Sequence, residues 1–438
     1  MPHTVCGVPL TQTKPAPAFR RTAETFHDGA KTLPQQYFVS PDVSAEEQKR
    51  IFSRQWVLVG HQSRTARPGD YLVAEVAGES LIIIRDKSEQ IHGFFNVCRH
   101  RGARLCEEQN GHAAAIQCPY HAWTYALDGR LLGAPHMDET PGFNKAEYPL
   151  KPARLGLWEG FIFLNLANGG TRLRSEATAR QAPGDLISLE RWFAPLAGKF
   201  SRWNLPALRS AKRIEYDVRA NWKLIFENYS ECYHCLGVHP ELSKISPHDS
   251  AENDLSEGPF LGGFMRIAKG RSLTMSGNAC ALGIADSARD RALAYDRGQQ
   301  GKNDYDYPPS RRSGAASEQE HEGKNRVFYY SIFPNMLLSL HPDYVMVHQL
   351  QPQSAERTRI LCDWLFHPEA AGLTPTSRGY SFNPDDAVEF WDMVNKQDWH
   401  VCELSQQGIS SRAYEPGPYS ARESIPAAWD NYYLRQIH

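Results

Sequence analysis

Two short segments decide the interpretation of this 438-residue sequence: NVCRHRG at residues 96–102 and CPYHAW at residues 118–123. The first contains the spacing Cys-x-His, and the second contains the spacing Cys-x-x-His. The four candidate ligands are Cys98, His100, Cys118 and His121. Because ligands so near in sequence close only short loops, each pair can converge on one metal at little entropic cost. We therefore predict one metal centre with two thiolate and two imidazole ligands.

The residues around these segments have the pattern of short β-strands. Residues 80–85 are rich in β-branched side chains, hydrophobic residues roughly alternate over 90–95, and Asp128-Gly129 is typical of a hairpin turn. We therefore expect the four ligands to lie on two loops at the tips of β-hairpins.

Three interpretations of the four ligands compete. A structural zinc site accepts the same ligands, but zinc fingers usually keep their cysteine pair and their histidine pair separate. A Rieske [2Fe–2S] cluster, in which two cysteines bind one iron and two histidines bind the other, suits two mixed pairs. In the third interpretation, the histidines are ordinary surface residues and their spacing is a coincidence.

Residues 221–240, NWKLIFENYSECYHCLGVHP, contain a second candidate metal site. The hydrophobic positions with helical spacing are Trp222, Ile225, Phe226 and Tyr229. His234 and His239 are five residues apart, which does not align them on a straight helix. Gly237 and Pro240 allow the helix to unwind, so that both imidazoles can reach one metal. The alternative is an ordinary helix end with one histidine buried and the other exposed.

With these segments, nearly the whole sequence resembles the α subunit of the Rieske non-haem iron oxygenases. The resemblance implies a [2Fe–2S] cluster at the first site and a mononuclear Fe(II) at the second. The iron ligands would be His234, His239 and a carboxylate, a triad that leaves positions open for O2 and substrate. In related oxygenases the carboxylate lies on a late helix, here 388–404, where Asp398 fits best and Asp392 is the alternative. Either residue could instead be an ordinary solvated aspartate.

The resemblance gives Glu231 a role as well. This residue lies one helical turn before His234, where the family places an acid that bridges to a Rieske histidine of the neighbouring subunit. Outside the family it would be an ordinary surface acid. The resemblance also implies a head-to-tail homotrimer and a separate flavin- or iron–sulfur-containing reductase fed by NAD(P)H. No G-x-G-x-x-G segment follows a predicted strand, so a nicotinamide or flavin site within this chain is not supported.

The predicted fold class is α+β, with a β-rich Rieske domain and a catalytic domain built on an antiparallel sheet of helix-grip type. The predicted divisions are an N-terminal arm over 1–37, the Rieske domain over 38–166, and the catalytic domain over 167–438 with a mobile insertion at about 252–326. Ser44 is predicted to cap an early helix, with Glu47 completing a capping box.

Composition limits the classes of partner. The 48 basic and 50 acidic residues give a net charge of -2, which offers no electrostatic footprint for nucleic acid or a membrane surface. The sequence has neither an apolar run of about 18 residues nor a signal-peptide pattern, so a cytoplasmic location is predicted. Nine cysteines, an odd number without an export signal, favour metal ligation over a disulfide framework.

The substrate prediction depends on two further segments. The run ECYHC at 231–235 and the segment 414–420 resemble the branch that contains choline, carnitine and glycine-betaine monooxygenases. We therefore predict hydroxylation or oxidative N-demethylation of a small quaternary ammonium compound, with hydroxylation of an aromatic ring or aromatic acid as the alternative. A pure electron-transfer protein would require the second metal site to be incidental. The aromatic residues considered for a cation-binding cage are Tyr329, Tyr330, Phe333 and Tyr344.

Overall fold

The computed structural model describes residues 19–167, 187–281, 325–368 and 383–438. The strands are β1 Arg20–Arg21, β2 Val57–His61, β3 Asp70–Val76, β4 Glu79–Arg85, β5 Ile91–Phe95, β6 Asn110–His112, β7 Ile116–Gln117, β8 Thr124–Tyr125, β9 Leu131–Gly133, β10 Arg154–Trp158, β11 Phe161–Asn165, β12 Arg209–Val218, β13 Glu252–Leu255, β14 Phe260–Arg266, β15 Arg326–Ile332, β16 Met336–Leu340, β17 Val345–Ser354 and β18 Arg357–Phe366. The α-helices are α1 Gln36–Val39, α2 Pro41–Glu47, α3 Leu189–Phe193, α4 Trp222–Tyr229, α5 Cys235–Val238, α6 Pro240–Ile245, α7 Pro384–Ile409 and α8 Ser424–Ile437. None of the helices in these ranges is both long and apolar enough to span a bilayer.

An antiparallel sheet of eight strands forms the centre of the catalytic part, in the order β1-β13-β14-β15-β16-β17-β18-β12. One face packs against α4, α7 and α8, and its core includes Trp222, Trp364 and Trp429. The other face packs against β2, β11 and the segment 189–208. Because both faces are covered, β16 and most of β17 and β18 are buried and hydrophobic rather than alternating. The predicted α+β fold with an antiparallel sheet and helices on one side is confirmed.

Two small sheets carry the Rieske segments. One has the order β5-β4-β3-β6 and the other the order β7-β8-β9. The two sheets share a hydrophobic core that includes Ile82, Phe94, Trp123 and Tyr125. The first candidate segment follows β5, and the second connects β7 to β8, so both metal-binding loops emerge from strand ends.

The N-terminal residues belong to the catalytic part more than the sequence suggested. β1 pairs with β13 at the edge of the large sheet, although residues 1–37 were predicted to be an N-terminal arm; residues 1–18 of that arm lie outside the described residues. The helices over 36–52 pack in the core with α4 and α8 rather than with the Rieske sheets. α2 begins at Pro41, and the Ser40 hydroxyl accepts the N–H of Val43, so the predicted cap at Ser44 is wrong. Proline at the first helical position sets the start earlier.

The predicted insertion over 252–326 begins too early. Residues 252–255 and 260–266 are β13 and β14, which pair with each other and continue the central sheet. Gly262 and Gly263 lie where a Cβ would meet neighbouring backbone at 2.0 Å and 1.9 Å, so glycine here marks close strand contact rather than a loop. The polar segment over 298–314, on which the prediction of mobility rested, lies outside the described residues.

Glu47 has a structural role instead of a capping one. Its carboxylate is 1% exposed and accepts hydrogen bonds from the Lys223 ammonium at 2.5 Å, the Trp222 indole at 2.9 Å and the Tyr433 hydroxyl at 2.6 Å. Burial lowers the pKa of Lys223, and the neighbouring Glu47 carboxylate opposes that shift. A buried charge without its partner is strongly unfavourable. This cluster therefore ties α2, α4 and α8 together.

A second buried acidic pair lies beside it, formed by Glu227 of α4 and Asp430 of α8. Each group has one buried oxygen, Glu227 Oε1 and Asp430 Oδ1, with no hydrogen-bond partner among the described residues, and one proton shared between the two carboxyl groups would satisfy both. The Tyr419 hydroxyl donates to the other Asp430 oxygen at 2.8 Å. Burial is the largest cause that raises the pKa of both groups, to about 7 for Asp430, while Lys223 opposes the shift.

We expect this pair to make stability fall with rising pH. Because the pKa is raised, the contribution to stability is full below the unfolded value of about 4 and is lost as pH rises through about 7. Between about pH 5 and pH 7 the wild type should lose roughly 2 kcal/mol more than Asp430→Asn, since one pKa unit is about 1.4 kcal/mol. Urea unfolding at the two pH values measures the difference. If the free energy of unfolding changed by the same amount between these pH values in both proteins, the shared proton would be contradicted.

Candidate active site

The second histidine segment is built from three short helices that break at defined points. The Asn221 side chain caps α4 by accepting the Lys223 N–H at 3.0 Å, and the amphipathic helix ends at Tyr229. α5 is a single turn, and His239 follows it with φ −121° and ψ 71°, outside the helical region. Pro240 then begins α6. The break brings the two histidine rings together edge to face, with centroids 5.2 Å apart and an interplanar angle of 77°.

The structure brings His234, His239 and Asp398 together, although Asp398 is 159 residues away from His239 on α7. The Nε2 atoms of the two histidines are 3.2 Å apart. Asp398 Oδ1 lies 2.8 Å from His239 Nε2 and 3.2 Å from His234 Nε2. Among the described residues, these three are the one group of His, Cys, Asp or Glu whose ligand atoms lie within 4.8 Å of one another.

The remaining ring nitrogens have acceptors that set the tautomer of each histidine. His234 Nδ1 contacts Glu231 Oε1 at 2.5 Å, and His239 Nδ1 contacts Gln397 Oε1 at 2.7 Å. Each Nδ1 therefore donates, and each Nε2 presents a lone pair toward the other ligands, as in metal sites whose histidines are oriented by outer acceptors. Although burial lowers the pKa of His234, the Asp398 and Glu231 carboxylates raise it to about 10, so the site favours a bound cation. Two imidazoles and one carboxylate suit Fe(II).

Asp392, the alternative ligand, lies elsewhere. Its Oδ1 accepts the Tyr216 hydroxyl at 2.9 Å and its Oδ2 accepts the Lys396 ammonium at 2.6 Å. On a helix of 3.6 residues per turn, six residues place Asp392 about 120° around the helix from Asp398, on a different face.

Cys232 and Cys235 form a disulfide, with Cα atoms 4.9 Å apart, on either side of His234. The sequence had favoured metal ligation for the cysteines and did not predict this pair. The free cysteines among the described residues are Cys98, Cys106, Cys118, Cys280, Cys362 and Cys402, all of them buried.

The four Rieske candidates lie on two loops, Cys98 and His100 on one and Cys118 and His121 on the other. In each loop the cysteine N–H donates to a carbonyl five residues ahead, at 2.8 Å in both cases: Cys98 to Ala103 and Cys118 to Trp123. The two loops also turn at positive φ, Gly102 at 77° and Ala122 at 57°. The loops are therefore near copies of one another in backbone geometry.

In these loops the two cysteines lie near each other, and so do the two histidines. Burial and the neighbouring Cys98 thiol raise the pKa of Cys118, and the His100 and His121 ring centroids are 4.6 Å apart. His121 Nδ1 is buried and has no hydrogen-bond partner among the described residues. Two sulfurs on one side, two imidazoles on the other and an unpartnered nitrogen fit a [2Fe–2S] cluster with cysteines on one iron and histidines on the other.

Tyr125 was not singled out in the sequence, but its hydroxyl lies 3.3 Å from Cys98 Sγ. Hydrogen bonds to ligating sulfur raise the reduction potential, because they stabilise the more negative reduced cluster. We expect Tyr125→Phe to lower the potential by about 40 mV, since a hydrogen bond of about 1 kcal/mol corresponds to that shift for one electron. A potentiometric titration followed by EPR measures it. An unchanged potential would show that the hydroxyl does not donate to the sulfur.

A cavity of about 350 Å³ adjoins the His234, His239 and Asp398 triad. The aromatic residues in its wall are Tyr229, Tyr233, Phe264, Tyr329, Trp391 and Trp399. Of the four aromatic residues considered from the sequence, Tyr329 lines the cavity. Tyr330 points to the opposite face of the sheet because neighbouring residues of a strand alternate. Phe333 and Tyr344 pack in the core.

Comparison with known proteins agrees with this architecture. Residues 205–438, more than half of the chain, match the family described as ring hydroxylating alpha subunit (catalytic domain), and residues 55–145 match the Rieske [2Fe-2S] domain. The glycine betaine monooxygenase oxygenase subunit of Chromohalobacter salexigens is 29% identical over 90% of this chain and 82% of its own length. The carnitine monooxygenase oxygenase subunit of Acinetobacter baumannii is 35% identical over 49% of this chain and 54% of its own length.

Solved structures show the same fold. A quaternary ammonium Rieske monooxygenase aligns with a TM-score of 0.71 at 24% identity, over 96% of this chain and all of that one. Naphthalene 1,2-dioxygenase from Rhodococcus sp. aligns with a TM-score of 0.68 at 18% identity, over 93% of this chain and 94% of that one.

A Rieske domain joined to a catalytic domain of this kind defines an iron-dependent oxygenase. The chain belongs to the Rieske non-haem iron oxygenases, as an α subunit with a Rieske domain and a ring-hydroxylating catalytic domain. The predicted enzyme class and the predicted cofactors, a [2Fe–2S] cluster and a mononuclear iron, are confirmed at the level of the family.

Proposed function

We propose that this oxygenase hydroxylates or N-demethylates a small quaternary ammonium compound. The observation that carries the proposal is the cavity beside the triad, whose wall combines aromatic rings with carboxylates. An ammonium group over an aromatic face gains about 0.5–2 kcal/mol. Glu231, Asp249 and Asp398 also line the cavity and add negative potential. The names of the glycine betaine and carnitine monooxygenase relatives support the same substrate class.

We propose Cys98, His100, Cys118 and His121 as the cluster ligands and His234, His239 and Asp398 as the iron ligands. When bound, the cluster supplies single electrons and the iron activates O2. The protein residues hold the substrate in the aromatic cavity and keep both histidine lone pairs directed at the metal. Insertion of one oxygen atom into a C–H bond consumes O2, two electrons and two protons and releases one water. Hydroxylation of an N-methyl group gives a carbinolamine that releases formaldehyde.

We further propose a head-to-tail homotrimer in which Glu231 lies between the two kinds of metal site. Apolar side chains are exposed at the tip of the Rieske domain, where Tyr120 is 56% exposed and Val97 is 43% exposed. Similar side chains are exposed at the iron segment, where Leu236 is 64% exposed and Tyr233 is 56% exposed. A ring that joins one patch to the other would cover both and bring His100 of one subunit toward Glu231 of the next. Sedimentation velocity tests the trimer.

We propose that a separate reductase that oxidises NAD(P)H supplies the electrons. The names of the relatives as oxygenase subunits support a division of labour between components. A cytoplasmic location stays a prediction.

The experiment that tests the substrate class is a single turnover of anaerobically reduced protein with O2 and a panel of glycine betaine, carnitine, choline and aromatic acids. Mass spectrometry identifies product, and the visible spectrum follows reoxidation of the cluster. We expect cluster oxidation coupled to demethylation or hydroxylation of an ammonium compound. Product from an aromatic acid alone would replace the substrate class while leaving the oxygenase chemistry in place.

A further inference from the structure

His348 is a cavity-lining residue that the sequence did not point to. It lies on β17, is 1% exposed and lines the cavity beside the triad. Its ring packs at right angles to two cavity aromatics, with centroids 6.0 Å from Tyr229 and 5.8 Å from Trp399. A histidine therefore lies between two aromatic residues of the cavity wall.

A buried chain of hydrogen bonds fixes the orientation of His348. Its Nε2 lies 3.2 Å from Asn395 Oδ1, the Asn395 amide donates to the Tyr216 hydroxyl at 3.3 Å, and Tyr216 donates to Asp392 at 2.9 Å. The Asp392 carboxylate accepts at both oxygens, from the Tyr216 hydroxyl and from the Lys396 ammonium at 2.6 Å. The direction of each hydrogen bond follows from Asp392. Tyr216 donates to Asp392 and therefore accepts from the Asn395 amide, so the Asn395 oxygen faces His348 and His348 Nε2 carries the proton.

The other nitrogen of His348 cannot readily take a second proton. Nδ1 is buried and has no hydrogen-bond partner among the described residues. The titratable groups that face the ring or its chain are Tyr229 and Cys362, whose pKa values burial raises, Tyr216, and the more distant Asp398. Protonation would create a buried cation whose new N–H has no acceptor. Burial accordingly lowers the pKa of His348 to about 4.

We propose that the hydrogen bonds from Asp392 through Tyr216 and Asn395 hold His348 as a neutral imidazole. His348 then forms part of the cavity wall that receives the ammonium group of the substrate. A neutral ring packs against a cation, whereas an imidazolium at the same place would repel it. His348 is thus a specificity residue, and Asn395 is a positioning residue that acts through it. The inference rests on the proposed quaternary ammonium substrate.

The test compares two ligands that differ in charge and hardly in shape: glycine betaine and 3,3-dimethylbutanoate, in which carbon replaces the ammonium nitrogen. Calorimetry on the oxidised holoenzyme gives the Kd of each ligand without turnover. We expect His348→Gln, which stays neutral, to keep both affinities within about threefold. His348→Lys should weaken glycine betaine by about 30-fold and the carbon analogue by less than about threefold, because only the cation is repelled.

Equal weakening of both ligands in His348→Lys would overturn the inference, since it would show a packing role alone. If that variant does not fold, the wild type provides a second measurement between about pH 8 and pH 6, across the ordinary histidine pKa of about 6.5. The ratio of the two Kd values should stay constant. A ratio that changes with a midpoint near pH 6.5 would overturn the neutral assignment. Failure of the wild type to bind any ammonium compound would instead reject the proposed substrate class.

Discussion

Replacing Asp398 by alanine is expected to abolish turnover, by at least about 10³-fold, which corresponds to about 4 kcal/mol of lost transition-state stabilisation. Asp398 Oδ1 is within 3.2 Å of both histidine Nε2 atoms, and no other carboxylate of the described residues lies in that group. Two imidazoles alone would bind Fe(II) weakly, because the hard, negatively charged ligand would be lost. Product formation in a single turnover and iron content per chain measure the effect.

The spectrum of the Rieske cluster distinguishes loss of the iron site from misfolding. In Asp398→Ala the cluster should keep its absorption and EPR signals, because its ligands lie on separate loops. Asp385→Ala is the matched control, since Asp385 is exposed on the same helix. Retention of iron and activity in Asp398→Ala would contradict the proposed ligand set. Loss of the cluster signals as well would indicate a folding defect.

Glu231→Gln is expected to slow reoxidation of the cluster in the presence of O2 and substrate by about 100-fold, the upper range for loss of an acceptor that supports a metal ligand. One Glu231 oxygen contacts His234 Nδ1 at 2.5 Å, and the other accepts backbone N–H groups of Tyr233 and His234. Glutamine keeps the size of the side chain but loses the charge that supports His234. Stopped-flow absorption of the reduced cluster measures the rate.

In Glu231→Gln the rate at which a chemical reductant reduces the cluster should not change, because the substitution lies in the catalytic domain. Glu389→Gln, on the exposed side of α7, serves as the control for a lost negative charge. If the iron content of Glu231→Gln also falls, the carboxylate supports metal binding. If iron is retained and reoxidation alone slows, the result favours a bridge between subunits. If Glu231→Gln reoxidised the cluster at the wild-type rate, both roles would be rejected.

The proximity of side chains that are close in sequence could be predicted from the sequence. Cys98 with His100, and Cys118 with His121, are brought together by short loops, and the break between His234 and His239 follows from Gly237 and Pro240. The convergence of Asp398 required the family resemblance, since α7 reaches the site only through packing on α4 and the sheet. Spacing alone gave no reason to prefer Asp398 to Asp392.

Other features of the site depend on long-range packing and left no local signal. Tyr329 and Tyr330 were both candidates for the cation-binding cage, and which of them faces the cavity depends on how β15 pairs with its neighbours. Gln397 and His348 look like ordinary polar residues until the helix and strand are placed together. Glu47 was assigned to a cap because its partners lie 175 and more residues away.

The triad also joins distant parts of the chain, because its histidines lie on the α5–α6 segment and its carboxylate on α7, 159 residues later. A metal ion there closes a long loop and binds the folded state alone, so its occupancy adds to thermal stability by mass action. The melting temperature therefore reports how much of the protein holds the metal. Protein stripped with a chelator should melt earlier and recover on addition of Fe(II), whereas Asp398→Ala should melt at one temperature with or without the metal.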